Sequence, residues 1–193
     1  APLEVSAWAA RRGIDAEAAR TQLSKQREVL LAARSRRIRP HLDSKILCAW
    51  NGLALGAFAI GYQVLGDADY LVRARTVADF ILERLWDGTT LKARWADGEV
   101  RYHAYLDDYA FTSWGLFDLY EATFEVRYLN AAFTLMDAAE REFATPQGGY
   151  YFSPQDHAEL LARPEEVYDG ALPSGNAVMV QNLLKRAEYT GDG

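Results

Sequence analysis

The chain has 193 residues, half of them hydrophobic and 12% aromatic, with a net charge of −6 and a pI near 5.1. That composition excludes intrinsic disorder, and its acidity argues against a nucleic-acid-binding surface. No apolar run reads as long enough to span a membrane, and the start Ala1-Pro2-Leu3-Glu4 has no secretory core. The first residue is not Met, which implies processing or excision from a longer chain. Cys48 is the single cysteine, so no disulfide framework is expected. It reads as a small hydrophobe in a reducing, cytoplasmic setting without a membrane partner.

Residues 1–13 read as irregular. A helix is expected to open at Ile14-Asp15, with Asp15 as its cap and Ala19, Leu23, Leu30 and Ala33 on one face. It runs to the basic stretch Arg34-Ser35-Arg36-Arg37-Ile38-Arg39 and ends at Pro40. That stretch reads more simply as a solvated linker than as a phosphate or anion site.

From Asn51 onward a weak repeat sets in, with starts at Asn51, Tyr109 and Asn176, 58 and then 67 residues apart. Each start opens an apolar helix, expected near 52–65, 109–124 and 176–189. Amphipathic followers are expected near 69–85 and 127–143. In the first two apolar helices Leu53, Leu55, Phe58, Ile60, Phe111, Trp114, Leu116 and Phe117 cover most of the circumference, the pattern of helices buried on all sides. The followers carry one stripe only: Leu71, Ala74, Ala78, Ile81 and Leu85 in one, Leu129, Ala132, Leu135, Met136 and Ala139 in the other. Alternation of all-round and one-sided helices predicts two concentric layers, an all-α toroid or a piece of one. Leu91 to Val100 predicts a hairpin about Asp97-Gly98, and Gly148-Gly149-Tyr150-Tyr151-Phe152 a short strand. Three inner helices cannot close a ring, so an open edge with exposed apolar surface and self-association through it are expected.

Polar residues gather where the inner helices begin: Asp43, Lys45, Trp50 and Asn51; His103, Tyr105, Asp107 and Asp108; Asp169, Ser174 and Asn176. If the inner helices run parallel, the three groups share one mouth. Paired carboxylates there suit glycosyl chemistry, one protonated as acid and another acting as base or nucleophile. Asp and Asn are equally the preferred caps of helices, so struts are the competing reading. Asp107, Asp108 and Asp169 are the candidate catalytic residues, with Asp108 expected to be more buried and Asp107 to reach the cavity. Asp43, Lys45, Trp50, Asn51, His103, Tyr105, Ser174 and Asn176 are the candidate ligand-binding residues. An Asp43–Lys45 ion pair is the plainer role for those two. His103 and His157 could exchange protons in an epimerase, but neither lies in a metal-spaced pair, and no metal or cofactor is expected.

The string Arg39-Pro40-His41-Leu42-Asp43-Ser44-Lys45-Ile46-Leu47-Cys48-Ala49-Trp50-Asn51-Gly52-Leu53 resembles the helical region of the YyaL-type, spermatogenesis-associated thioredoxin-domain-containing proteins. Tyr105-Leu106-Asp107-Asp108-Tyr109-Ala110, Leu119-Tyr120-Glu121-Ala122-Thr123, Gly148 to Phe152, and Asp169 to Asn176 match in the same order, so the resemblance spans residues 27–193. It implies a six-hairpin glycosidase-like (α/α)6 toroid with short β-hairpin connectors, preceded in the longer protein by a thioredoxin-like domain that this chain lacks. Residues 1–40 would then be an N-terminal helix and basic linker. Residues 41–193 would be an incomplete toroid of about three hairpins. The family brings no settled reaction. The function expected is carbohydrate handling of glycosidase or 2-epimerase type, with a polyhydroxylated ligand. A non-catalytic scaffold serving the thioredoxin-like domain is the alternative.

Overall fold

A computed structural model describes residues 4–155 and 162–191, so His157 lies outside the described residues. The chain divides into two compact units, residues 1–43 and 44–193. In the first, α1 (Val5–Arg11) packs on α2 (Ala16–Ser35). Residues 5–11, expected to be irregular, are helical because the pair buries Ala9 and Ala19 between them, a contact between segments that local pattern does not reveal. Asp15 caps α2 by accepting from the Ala18 N–H at 2.8 Å, as expected of an Asp at that position.

The second unit runs β1 (Ile46–Leu47), α3 (Cys48–Leu65), α4 (Ala68–Phe80), β2 (Lys92–Ala96), β3 (Glu99–His103), α5 (Leu106–Thr123), α6 (Val126–Phe143) and α7 (Gly175–Thr190). A π-helical turn, Ile81–Leu85, prolongs α4. The three strands form one antiparallel sheet in the order β1-β2-β3. Asp97 and Gly98 both take positive φ, 52° and 83°, the tight hairpin turn expected of that dipeptide. The strand expected at 148–152 does not form. Gly148 and Gly149 turn the chain at φ 91° and 87°, leaving only a single bridge between Ala144 and Tyr150.

The helices make two layers. α5 packs between α3 and α7, while α4 backs α3 and α6 backs α5. The inner helices are parallel, because contacts at both ends match: Asp108 of α5 reaches Ala49 of α3, and Lys185 of α7 reaches Asp118 of α5. α3 and α5 approach closely at glycines. A Cβ on Gly52 would lie 2.6 Å from the Thr112 nitrogen, and one on Gly115 2.5 Å from the Gly52 oxygen.

α5 is buried on nearly every side, with Tyr109, Phe111, Leu116, Phe117 and Leu119 inside. Burial on all sides fails for α3, where only Cys48, Gly52, Leu55, Gly56 and Ala59 are buried. Trp50, Ile60 and Val64 stay exposed there, as do Val180, Leu183 and Leu184 on α7, because each of these helices has an inner neighbour on one side only. This is the open apolar edge expected of an incomplete ring. α3 also corrects the membrane expectation. Its 18 residues, of mean hydropathy 1.2, are long and apolar enough by composition to cross a membrane. A single such helix is weak grounds for a span.

Candidate functional site

α3 begins at Cys48, four residues before the expected start, because its first turn is capped from another helix. Asp108 Oδ1 accepts from the Ala49 N–H at 2.8 Å, and Oδ2 accepts from the Tyr105 N–H at 2.8 Å. One carboxylate thus satisfies orphan donors at the starts of α3 and α5. Asn51 does not cap α3; its Nδ2 donates to the Leu47 carbonyl at 2.8 Å. Burial pushes the Asp108 carboxyl up to about 7, against the pull of those two N–H groups, and Asp107 adds to the rise.

Asp107, next along α5, turns the other way and accepts from the Gly175 N–H at the start of α7. A Cβ at 175 would stand 2.5 Å from Asp107 Oδ1 and 2.9 Å from Leu106 Cγ, so any side chain there would displace both. Asp107 is half-buried, and its carboxyl is raised chiefly by burial, with a smaller contribution from the Glu166 charge. Asp108 is 5% exposed and is therefore the more buried of the pair, as expected.

The start of α7 is pinned three times. Ser174 Oγ accepts from the Ala177 N–H at 3.2 Å as the N-cap, and Asp169 Oδ1 accepts from the Ser174 N–H at 2.8 Å. Asn176, buried, pairs with both backbone groups of Tyr150 at 2.9 Å and donates to the Glu166 carbonyl at 2.9 Å. Adjacent bonds therefore bring Asp107, Asp108, Asp169, Asn51, Ser174 and Asn176 to the shared N-terminal end of α3, α5 and α7.

Of the other expected residues, Trp50 and Tyr105 also stand at these helix starts, and His103, Lys45 and Asp43 lie on segments before them. Trp50 is 63% exposed on the first turn of α3. Tyr105 is half-buried with its ring stacked on Phe152 at 4.9 Å. His103 is exposed at the end of β3, opposite Lys92. Lys45 is exposed ahead of β1, and Asp43 is exposed as the last residue of the first unit. Among the described residues no group of three His, Cys, Asp or Glu could hold a metal ion.

A second polar group, at the opposite ends of the inner helices, has no counterpart among the residues singled out from sequence. Lys185 Nζ lies 3.1 Å from Asp118 Oδ1 and 2.8 Å from Glu121 Oε1, and the Tyr189 hydroxyl donates to Glu121 at 2.8 Å. Asp118 is 5% exposed, and burial raises its carboxyl while Lys185 draws it down. The signal for it was present: an acid in the middle of an apolar helix needs a partner.

Two helical layers, parallel inner helices, and strand-bearing connectors at their N-terminal end make the second unit part of a six-hairpin glycosidase-like α/α toroid. Its structure is similar to that of cellobiose 2-epimerase from Bacillus thermoamylovorans, with a TM-score of 0.64 and 17% identity over 80% of this chain and 42% of that one. It is also similar to a GH76 α-mannanase from Bacteroides thetaiotaomicron, with a TM-score of 0.60 and 16% identity over 81% and 39%. At these identities the likeness is one of fold. In sequence the chain is similar to spermatogenesis-associated protein 20 of Homo sapiens, 39% identical over 195 residues, which take in 95% of this chain. The chain spans about a quarter of the length of the curated relatives it matches. No family model matches it.

Proposed function

We propose that the second unit forms part of the wall and one mouth of a ring-shaped domain that handles a polyhydroxylated, sugar-like ligand within a longer, thioredoxin-domain-containing protein. The observation that carries this reading is Asp107. It is half-buried where the N-termini of α5 and α7 meet, and its carboxyl is raised chiefly by burial. A rise is the direction that donation to a glycosidic or ring oxygen requires of a carboxyl. Asp108 and Asp169 act as positioning residues in this reading: Asp108 gives both oxygens to backbone N–H groups and Asp169 holds the Ser174 N–H, while Asp107, which also accepts from the Gly175 N–H, is the one raised by burial beside the Glu166 charge. The exposed indole of Trp50 offers an apolar face to a pyranose beside this mouth. The toroid fold of the epimerase and the mannanase supports the reading by analogy only.

The same hydrogen bonds favour a second reading, a scaffold for the thioredoxin-like domain. Ser174, Asn176, Asp108 and Asp169 all serve backbone groups, as caps and struts do. A screen of the whole protein against sugars and thiol substrates separates the two. On the enzymatic reading Asp107→Asn lowers a carbohydrate turnover by about 10²–10⁴-fold, the usual contribution of a general acid. Retention of every activity by Asp107→Asn favours the scaffold.

A further inference from the structure

One face of the three-stranded sheet is basic in a chain of net charge −6. Cross-strand register sets Leu47 of β1, Arg94 of β2 and Arg101 of β3 side by side on it, with Lys92 and His103 next along. The opposite face carries Trp95, whose ring meets Phe80 of α4 at 6.2 Å. Leu47 is the last residue before α3, so Arg94, its cross-strand partner, stands at the helix starts that form the mouth. Two of the three long cations here are neutralised locally, Arg101 by Glu99 and Lys92 by Asp87 at 4.0 Å. Arg94 is not. Among the described residues no oxygen accepts from its guanidinium: Nε is buried without a partner, and the two Nη atoms, equally without acceptors, reach solvent.

Tyr102 holds this guanidinium in place. Alternation along β3 would put Tyr102 on the face of Trp95, yet its ring lies under Arg94, 4.8 Å from Cζ. Its backbone sits at φ 64°, in the left-handed region that bulky residues avoid. The side chain is 61% exposed, so its own burial does not repay that strain. An arginine without a counter-ion, its plane fixed on an aromatic ring, is pre-organised to grip an oxyanion through two parallel N–H bonds.

We infer that Arg94, stacked on Tyr102 at the edge of the mouth, binds the oxyanion group of a ligand, a carboxylate, sulfate or phosphate. That this group is carried by an acidic sugar rests on the carbohydrate reading above; the anion site itself does not.

The test is isothermal titration calorimetry on the whole protein at low salt with D-glucuronate, D-glucose and inorganic sulfate. D-Glucuronate is expected to bind at least about tenfold more tightly than D-glucose, the effect of hydrogen bonds to a charged group. Arg94→Gln should abolish that preference, and Arg94→Lys, which keeps the charge without the fork, should retain part of it. Arg101→Gln, at a cation already paired, should change the affinity less than about threefold. Tyr102→Gly suits the positive φ and should not lower the melting temperature, yet the lost stack should weaken D-glucuronate by about two- to fivefold. Sulfate binding that needs Arg94, with neither sugar bound, upholds the site and refutes its carbohydrate identity. Equal binding of the two sugars, untouched by Arg94→Gln, refutes the site and upholds the mouth. Equal losses in Arg94→Gln and Arg101→Gln refute it as a diffuse field of the sheet, and absence of binding by both anions refutes it outright.

Discussion

Replacing Gly115 by alanine should prise α3 from α5, and the size of the effect follows from the geometry. The added Cβ would stand 2.5 Å from the Gly52 oxygen, 2.9 Å from Leu55 Cγ and 3.1 Å from the Gly56 nitrogen. Two of these are backbone atoms of the facing helix, so no rotamer change relieves the clash. The helices must part by on the order of 0.5–1 Å, a gap that forfeits a quarter to a half of each dispersion contact along the seam. Overpacking of this kind costs about 1–3 kcal/mol, partly offset by the roughly 1 kcal/mol of helix propensity that alanine gains over glycine. Gly61 is the internal control on α3. A Cβ there meets only the Tyr70 ring, at 3.4 Å, so Gly61→Ala collects the propensity gain without the clash. The two variants should differ by about 1–3 kcal/mol, or roughly 3–10 °C in melting temperature for a unit of this size. Thermal and urea unfolding followed by circular dichroism measures the difference. Coincident melts would refute the close approach of the two helices.

Two further outcomes concern the mouth. Asp108→Ala leaves the Ala49 and Tyr105 N–H groups without their acceptor, at about 1–3 kcal/mol each, and urea unfolding should show a loss of about 2–6 kcal/mol. A loss within 0.5 kcal/mol of zero, the usual range for a surface change, would show that Asp108 does not hold the helix starts together. The second is a pH dependence. The folded Asp108 carboxyl, pushed up to about 7, keeps a proton that the unfolded chain releases near the ordinary value of about 4. The unfolded state therefore binds fewer protons in that window, and stability falls as pH rises from about 4 to about 7. The drop is at most about 4 kcal/mol, three units at 1.36 kcal/mol each. Asp108→Asn should flatten this slope in urea unfolding measured across the window, and an unchanged slope would assign it to other groups.

The sequence by itself determined the helices from α2 to α7 and the hairpin about Asp97-Gly98, but not α1, β1 or the turn at 148–149. All-round and one-sided apolar patterns mark inner and outer helices because a side chain's burial on a helix depends only on which sides the helix is covered from, and that periodicity is local. The Asp97-Gly98 turn was legible for the same reason, since its conformation needs few other residues. The convergence of Asp107, Asp108, Asp169 and Asn176 followed from the repeat, which gives successive helices equivalent starts. What those side chains do was decided by tertiary structure. Asp108 is a latch because Ala49, 59 residues earlier, presents its N–H, and Asp107 is half-buried because α7 closes over it at Gly175. Asp118 meets Lys185 across 67 residues. Hydrogen bonds and desolvation act over a few ångströms of space, and between inner helices those ångströms separate residues about sixty positions apart along the chain.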